Sequence, residues 1–329
     1  MRQATAGTLD VVVAGLAVVD ILGRPVDLAR LPRRGGLQVI DTITMTTGGN
    51  VPNYGIDLAK LGLRVGAITR VGDDEFGRFV TRRLAEHAIE TSGVIVDGKR
   101  QTSSTFVAVG PDGERTFLHT RGCMMNFRAK DLLQHASMLE RCSVLAFGYL
   151  GLLPECEPAL PAAFARLKKT TGIRILLDTG GNPRRNPRLL RALLPHVDMF
   201  LPSFEEAATL TGNSTPAGIV RACRAAGAGG VVGVKLGARG CYLDYDGRAA
   251  TIPARRVRTV VDATGAGDAY VAGFVAATIR GANPFEAARF GNAVAASCVT
   301  ALGASTAIRP FGEYPPPRAG GMTETGRNG

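Results

Sequence analysis

Apolar residues fall along this chain in short unbroken runs, divided by longer stretches where they recur every three or four positions. Residues 11–19 read as one buried strand. Residues 52–61 read as a helix, with Pro52 in its first turn and Gly62 just past its end. Residues 65–71 predict a second strand and 75–87 a second helix. Apolar runs of strand length follow at 144–150, 173–178, 197–201 and 231–236, with helical stretches between them. Unbroken apolar strands alternating with helices predict an α/β fold, a doubly wound and mostly parallel sheet covered on both faces.

Two regions break this rhythm. Residues 37–47 are rich in Thr and β-branched side chains, and 104–109 with 115–120 flank a Pro111-Asp112-Gly113 turn, a hairpin signal. They predict a small β-sheet inserted into the α/β body, built from segments at about 21–48 and 100–121 and placed as a lid over a cleft. The body then spans 1–313. Residues 314–329, mostly Pro, Gly and polar, read as a disordered tail.

Composition narrows the function classes. Hydrophobic residues make up 45% and charged residues 20%, a globular balance. The 11–19 run is far shorter than the roughly 20 residues of a membrane span. The ten residues before it carry one Arg and one Asp, a poor leader, so the expectation is a cytoplasmic protein with no membrane partner. None of the six cysteines forms a Cys-x-x-Cys pair and the four histidines show no ligand spacing, which predicts reduced core thiols and no structural metal. The formal charge of +11 asks for an anionic partner. Its arginines and lysines sit in short pairs without interleaved aromatics, which suits a small polyanion and argues against nucleic acid.

The sharpest chemistry lies at Val260-Val261-Asp262-Ala263-Thr264-Gly265-Ala266-Gly267-Asp268, followed by an amphipathic helical stretch over 269–280. Two glycines permit a tight turn into a helix whose free N–H groups favour a phosphate. Asp268, in the first turn, reads either as a capping acid or as a general base beside that anion hole.

A second glycine turn, Gly48-Gly49-Asn50-Val51-Pro52-Asn53, opens a helix beside the Thr-rich insert, and Val71-Gly72-Asp73-Asp74-Glu75-Phe76-Gly77 follows. In this order and spacing, from about Val11 to Gly303, the chain resembles the PfkB (ribokinase-like) carbohydrate kinases. The resemblance implies ATP-dependent phosphorylation of a hydroxyl on a sugar-like substrate, with Mg²⁺, in many members K⁺, and often a homodimer through the lid. It implies Asp268 as catalytic base, with Gly265, Ala266 and Gly267 as the anion hole. Asp20, Gly48, Gly49 and Asn53 match the substrate side. Gly237, Ala238, Gly240 and Asn292 match the nucleotide side. Asp262 and Thr264 match the monovalent-cation loop.

Ser203-Phe204-Glu205-Glu206 stands where the family has Asn-x-x-Glu, which implies magnesium organised by Glu206 through water; the same letters also spell a capping box. Lys235, at a strand end, reads as solvated. Two positions before Asp20, Val18 replaces the Asn that ribokinases carry for the sugar, and 147–151 lack their acid, so ribose itself is not implied. Arg121 with His119 is the candidate cation for a sugar phosphate. The alternatives are a nucleoside (adenosine-like) kinase and a non-catalytic sugar- or nucleotide-binding regulator.

Overall fold

The computed structural model describes residues 7–181 and 185–316 and the backbone of 323–324. Its first strand already departs from the expectation. The run at 11–19 is two strands, β1 (Val11–Ala14) and β2 (Val18–Arg24), separated at Gly15. Gly15 adopts φ +136°, and a Cβ there would lie 2.5 Å from Asn50 Oδ1. Asn50 holds the bend. It accepts from Leu16 N–H at 2.8 Å and donates from Nδ2 to Ala14 O at 2.8 Å. A run that hydropathy cannot divide is thus split by one buried amide.

The next strands are β3 (Thr42–Gly48), β4 (Val65–Gly72) and β5 (Glu90–Asp97), then the hairpin β6 (Ser104–Val109) and β7 (Arg115–Thr120). Beyond it lie β8 (Val144–Leu150), β9 (Arg174–Thr179), β10 (Met199–Phe200) and β11 (Val231–Lys235). The antiparallel β12 (Cys241–Tyr245), β13 (Arg248–Ile252) and β14 (Thr323–Glu324) complete the edge. Ten strands form one sheet in the order β14-β13-β12-β11-β10-β9-β8-β1-β4-β5, parallel from β11 to β5.

Strand alternation sends side chains of β1 into two cores. Val11 and Val13 face α1 (Asn50–Lys60) and α2 (Glu75–Glu86). Val12 and Ala14 face the other layer: α3 (Ala129–Gln134), α4 (Ala136–Glu140), α5 (Leu160–Thr171), α6 (Pro187–Leu193), α7 (Phe204–Thr211) and α8 (Pro216–Ala225). The first layer also holds α9 (Ala266–Ile279) and α10 (Pro284–Cys298). Helix α9 is not amphipathic as expected. Every residue from Asp268 to Ala277 is buried, because α1 and α10 cover the sides that the sheet does not. Among the described residues no helix is long and apolar enough to cross a membrane.

The small sheet has the order β3-β2-β6-β7. Its registers align Thr46, Asp20, Thr105 and His119 in one cross-strand row. Met45, Ile21, Phe106 and Leu118 form the next row, which therefore points to the opposite face. Residues 37–40 of the Thr-rich insert form no strand, and Leu37 and Val39 are exposed. At the far end, the expected tail begins too early. Tyr314 is buried edge-on against Phe290 (5.4 Å between ring centroids), and Thr323–Glu324 pairs with β13. Residues 317–322 and 325–329 lie outside the described residues.

Candidate active site

In an open parallel sheet, ligands gather beyond the carboxyl ends of strands where strand order reverses. Here β1 lies between β8 and β4, and the strand ends around it carry the polar groups. Tyr149 is the last residue but one of β8, Asp178 and Thr179 end β9, and Lys235 ends β11. The starts of α1 and α9 supply Asn53 and Asp268.

Gly265 caps α9 with φ +77°, and a Cβ there would sit 2.3 Å from Ala304 Cβ, so glycine is required for the turn. The amides of Gly265, Gly267 and Asp268 have no acceptor among the described residues, whereas Ala266 N–H turns back to Ala263 O at 3.3 Å. Two of the three expected anion-hole positions, Gly265 and Gly267, thus present a free donor, and the amide of Asp268 itself adds a third.

Asp268 is 6% exposed. Its Oδ2 accepts from Asn53 Nδ2 at 2.6 Å and from the Tyr149 hydroxyl at 3.0 Å, and Oδ1 receives nothing from the described residues. Burial pushes its carboxyl up to about 6, against the downward pull of the Asn53 hydrogen bond and the Lys235 charge. Such a value suits a base working near neutrality. Tyr149 holds φ +62°, uncommon for a residue with a side chain, and Gly180 gives its ring room.

Behind this lies a second buried carboxylate. Asp178 accepts from Tyr54 OH at 2.7 Å and from Lys235 Nζ at 2.6 Å. Burial raises its pKa while Lys235 draws it back. Lys235 is not solvated, as the strand end suggested. Its side chain is 12% exposed and reaches beside Gly267, whose added Cβ would meet Nζ at 3.6 Å. Thr179 Oγ1 donates to Glu206 Oε2 at 2.5 Å, and Ser203 caps α7 by accepting Glu206 N–H at 3.4 Å. Ser203 thus caps the helix that carries Glu206, while the Glu206 carboxylate lies against Thr179 at the carboxyl end of β9. With the Thr179 hydroxyl it gives the oxygen donors that suit magnesium.

The remaining expected residues fall in three places. Asp20 and Gly48 meet on the lid: a Cβ on Gly48 would lie 2.3 Å from Asp20 Oδ2. Burial raises the Asp20 carboxyl, with the Thr105 hydroxyl and Arg115 opposing it. Gly49 (φ +87°) begins α1 against Leu16 O. Neither Asp20 nor Gly48 bonds to the Asp268 cluster directly. Gly237, Ala238, Gly240 and Asn292 line a cleft of about 580 Å³ with Ala266, Gly267 and Lys235. Asn292 spends its amide on Ile252 O and Pro253 O (both 3.1 Å), so it shapes the wall. Asp262 and Thr264 are engaged by Arg115 of β7: Nη2 reaches Asp262 Oδ1 at 2.8 Å, and Nη1 bonds Thr264 Oγ1. Arg121 lies by Met125 Sδ (4.0 Å), and His119 Nδ1 pairs with Thr105 Oγ1 at 3.0 Å.

Tyr54, Tyr149, Asp178, Thr179, Lys235 and Arg115 are absent from the sequence-derived set. Four of these six end apolar strands, a rule that would have found them once the strands were ordered. The profile of the pfkB family carbohydrate kinases matches residues 8–310. The chain is 28% identical to a ribokinase of Haemophilus influenzae, over 79% of its own length and 83% of that enzyme's. It is 30% identical to fructokinase-1 of rice (Oryza sativa subsp. japonica), over 78% and 83% of the two chains. Its fold matches the ribokinase of Arabidopsis thaliana, solved with ribose and ATP, at a TM-score of 0.79, 25% identity and coverage of 93% and 97%.

Proposed function

The chain belongs to the pfkB family of carbohydrate kinases, and we propose that it transfers the γ-phosphoryl group of ATP to a hydroxyl of a small sugar or sugar-like acceptor. One observation carries this reading. A buried carboxylate raised to about 6 stands in the same helix turn as unpaired amides, and that turn, at Ala266 and Gly267, lines a cleft of about 580 Å³.

Both donors to Asp268 bind Oδ2, which leaves Oδ1 for the acceptor hydroxyl. Asp268 takes that proton as the oxygen attacks the γ-phosphorus in line, and Asn53 and Tyr149 hold the carboxylate in place. The amides of Gly265, Gly267 and Asp268, with Lys235, receive the charge that grows on the phosphoryl oxygens. Glu206 and Thr179 would hold magnesium, whose charge offsets that of the phosphates when bound. Asp20 on the lid engages other hydroxyls of the acceptor. Val18 stands where ribokinases carry an Asn, and residues 147–151 lack their acid, which favours an acceptor other than ribose.

ADP formation measured across sugars, sugar phosphates and nucleosides tests the reading. Turnover on a sugar is expected. Turnover on nucleosides alone would move the acceptor class, and none on any of them would leave a binding protein.

The lid also supports a homodimer. Ile43, Met45, Phe106 and Leu118 are exposed at 69, 45, 39 and 69%, an apolar patch on the side away from Asp20. Sedimentation should find a dimer, and Met45→Glu a monomer. A monomeric wild-type chain at every concentration removes the proposal.

A further inference from the structure

The loop leading into the anion hole carries an ion that the chain itself supplies. Asp262 is 9% exposed and both its oxygens are taken. Oδ1 accepts from Thr264 N–H at 2.9 Å and from Arg115 Nη2 at 2.8 Å, and Oδ2 accepts from Gly303 N–H at 3.0 Å. The Thr264 hydroxyl is bonded to the other Arg115 nitrogen. An alkali cation at this loop would have to share those side-chain oxygens with the guanidinium bound to them. A guanidinium already on both of them repels a second cation, so the monovalent-ion role implied for Asp262 and Thr264 does not fit the residues present.

Arg115 does not come from the body. It opens β7 at the turn of the lid hairpin, opposite Val109, whereas the other end of β7, Thr120, pairs with Ser104 near the junction with the body. Five residues separate the two ends, roughly 17 Å of strand. The guanidinium therefore reaches the body from the part of the lid furthest from its hinge. It also acts on Asp20, whose carboxylate it favours. One side chain thus faces both the acceptor-side acid and the loop that positions Gly265.

We propose that Arg115 is the internal cation of the 262–264 loop, delivered by the lid, so that lid closure and ordering of the phosphoryl-binding turn are one event. Arg115 is a positioning residue. It acts through Asp262 and Thr264 on the Gly265–Asp268 turn and gives the enzyme independence from monovalent salt. The kinetic part rests on the kinase reading above; the placement of the cation does not.

The experiment compares wild type, Arg115→Ala and Arg115→Lys in potassium chloride and in choline chloride at equal ionic strength. In the absence of substrates, wild-type melting temperature should not respond to the exchange of salts. Arg115→Ala should melt lower in choline and recover in potassium, and hydrogen exchange of 104–120 and 262–268 should speed up together. Arg115→Lys, which keeps a charge but not the two-pronged contact, should fall between. A wild-type chain that melts higher in potassium, or an Arg115→Ala chain whose lid and loop exchange at wild-type rates, overturns the proposal.

In turnover, with ATP and whichever of ribose or fructose the wild type accepts, Arg115→Ala should lose about tenfold or more in kcat with a smaller change in KM for ATP. Millimolar guanidinium should restore part of it. Unchanged kcat overturns the coupling to the anion hole. If neither sugar is phosphorylated by wild type, kcat is read on the acceptor that ADP formation identifies, while melting and exchange still decide where the cation comes from.

Discussion

Replacing Asp268 with Asn keeps the side chain's size and its capacity to accept from Asn53 and Tyr149, but removes the basic oxygen and the buried charge. Two consequences of opposite sign follow. General-base assistance contributes roughly 10² to 10⁴ in rate, and most of that should vanish from kcat while ATP and acceptor still bind. Stability should rise. The carboxyl's pKa is lifted from 3.8 to about 6, chiefly by burial. A pKa raised in the folded state means that ionisation opposes folding. The penalty is absent below about 3.8, grows as pH rises through the interval, and is complete above about 6. At about 1.4 kcal/mol per pKa unit it reaches roughly 3 kcal/mol. For a chain of this length that is roughly 5 °C in melting temperature near pH 8, and little near pH 4. Thermal melting at both pH values and ADP formation on the accepted sugar read the two effects. Near-normal kcat would reduce Asp268 to a helix-start residue and refute the mechanism. Loss of turnover without stabilisation at high pH would refute the account of the buried charge.

Four further substitutions probe the surrounding shell. Lys235→Met strands the Asp178 carboxylate, a loss of roughly 3–5 kcal/mol that should shrink as pH falls, because burial raises this carboxyl and protonation relieves the unpaired charge. Adding Asp178→Asn should recover most of it, and thermal melts of the single and double variants check this. Gly267→Val meets only Lys235 at ordinary contact distance, so the fold should survive, but its branches crowd the cleft; kcat should drop by roughly 10² to 10³ as an anion-hole donor is displaced, with melting nearly unchanged. Gly265→Ala should instead lose the fold locally, because φ +77° and the clash with Ala304 oppose any Cβ. It should melt lower and bind nucleotide poorly, and a Gly265→Ala chain of wild-type stability would contradict the turn geometry.

How much was legible follows the range of the forces involved. The α/β class, most parallel strands and the 104–120 hairpin were readable because apolar runs and turn residues act over a few positions. The TGAGD turn announced itself for the same reason: Gly265 needs its left-handed φ whatever the rest of the chain does. One local signal went unread, the Asp246-Gly247 turn between β12 and β13, where both residues have positive φ, as a tight hairpin demands. The edge strand β5 was missed because one of its faces is polar and its hydropathy pattern is broken.

The pairings that assemble the site had no local signature. Asn53 reaches Asp268 across 215 residues, Tyr149 across 119, and Arg115 reaches Asp262 across 147. Lys235 looked solvated because only the ordering of β9, β10 and β11 brings Asp178 to it. Residue type and spacing determined which groups were available and which turns they had to occupy. Only the packed sheet decided which of them meet, which are buried, and therefore which carboxylate is lifted to about 6, close enough to neutrality to serve as a base.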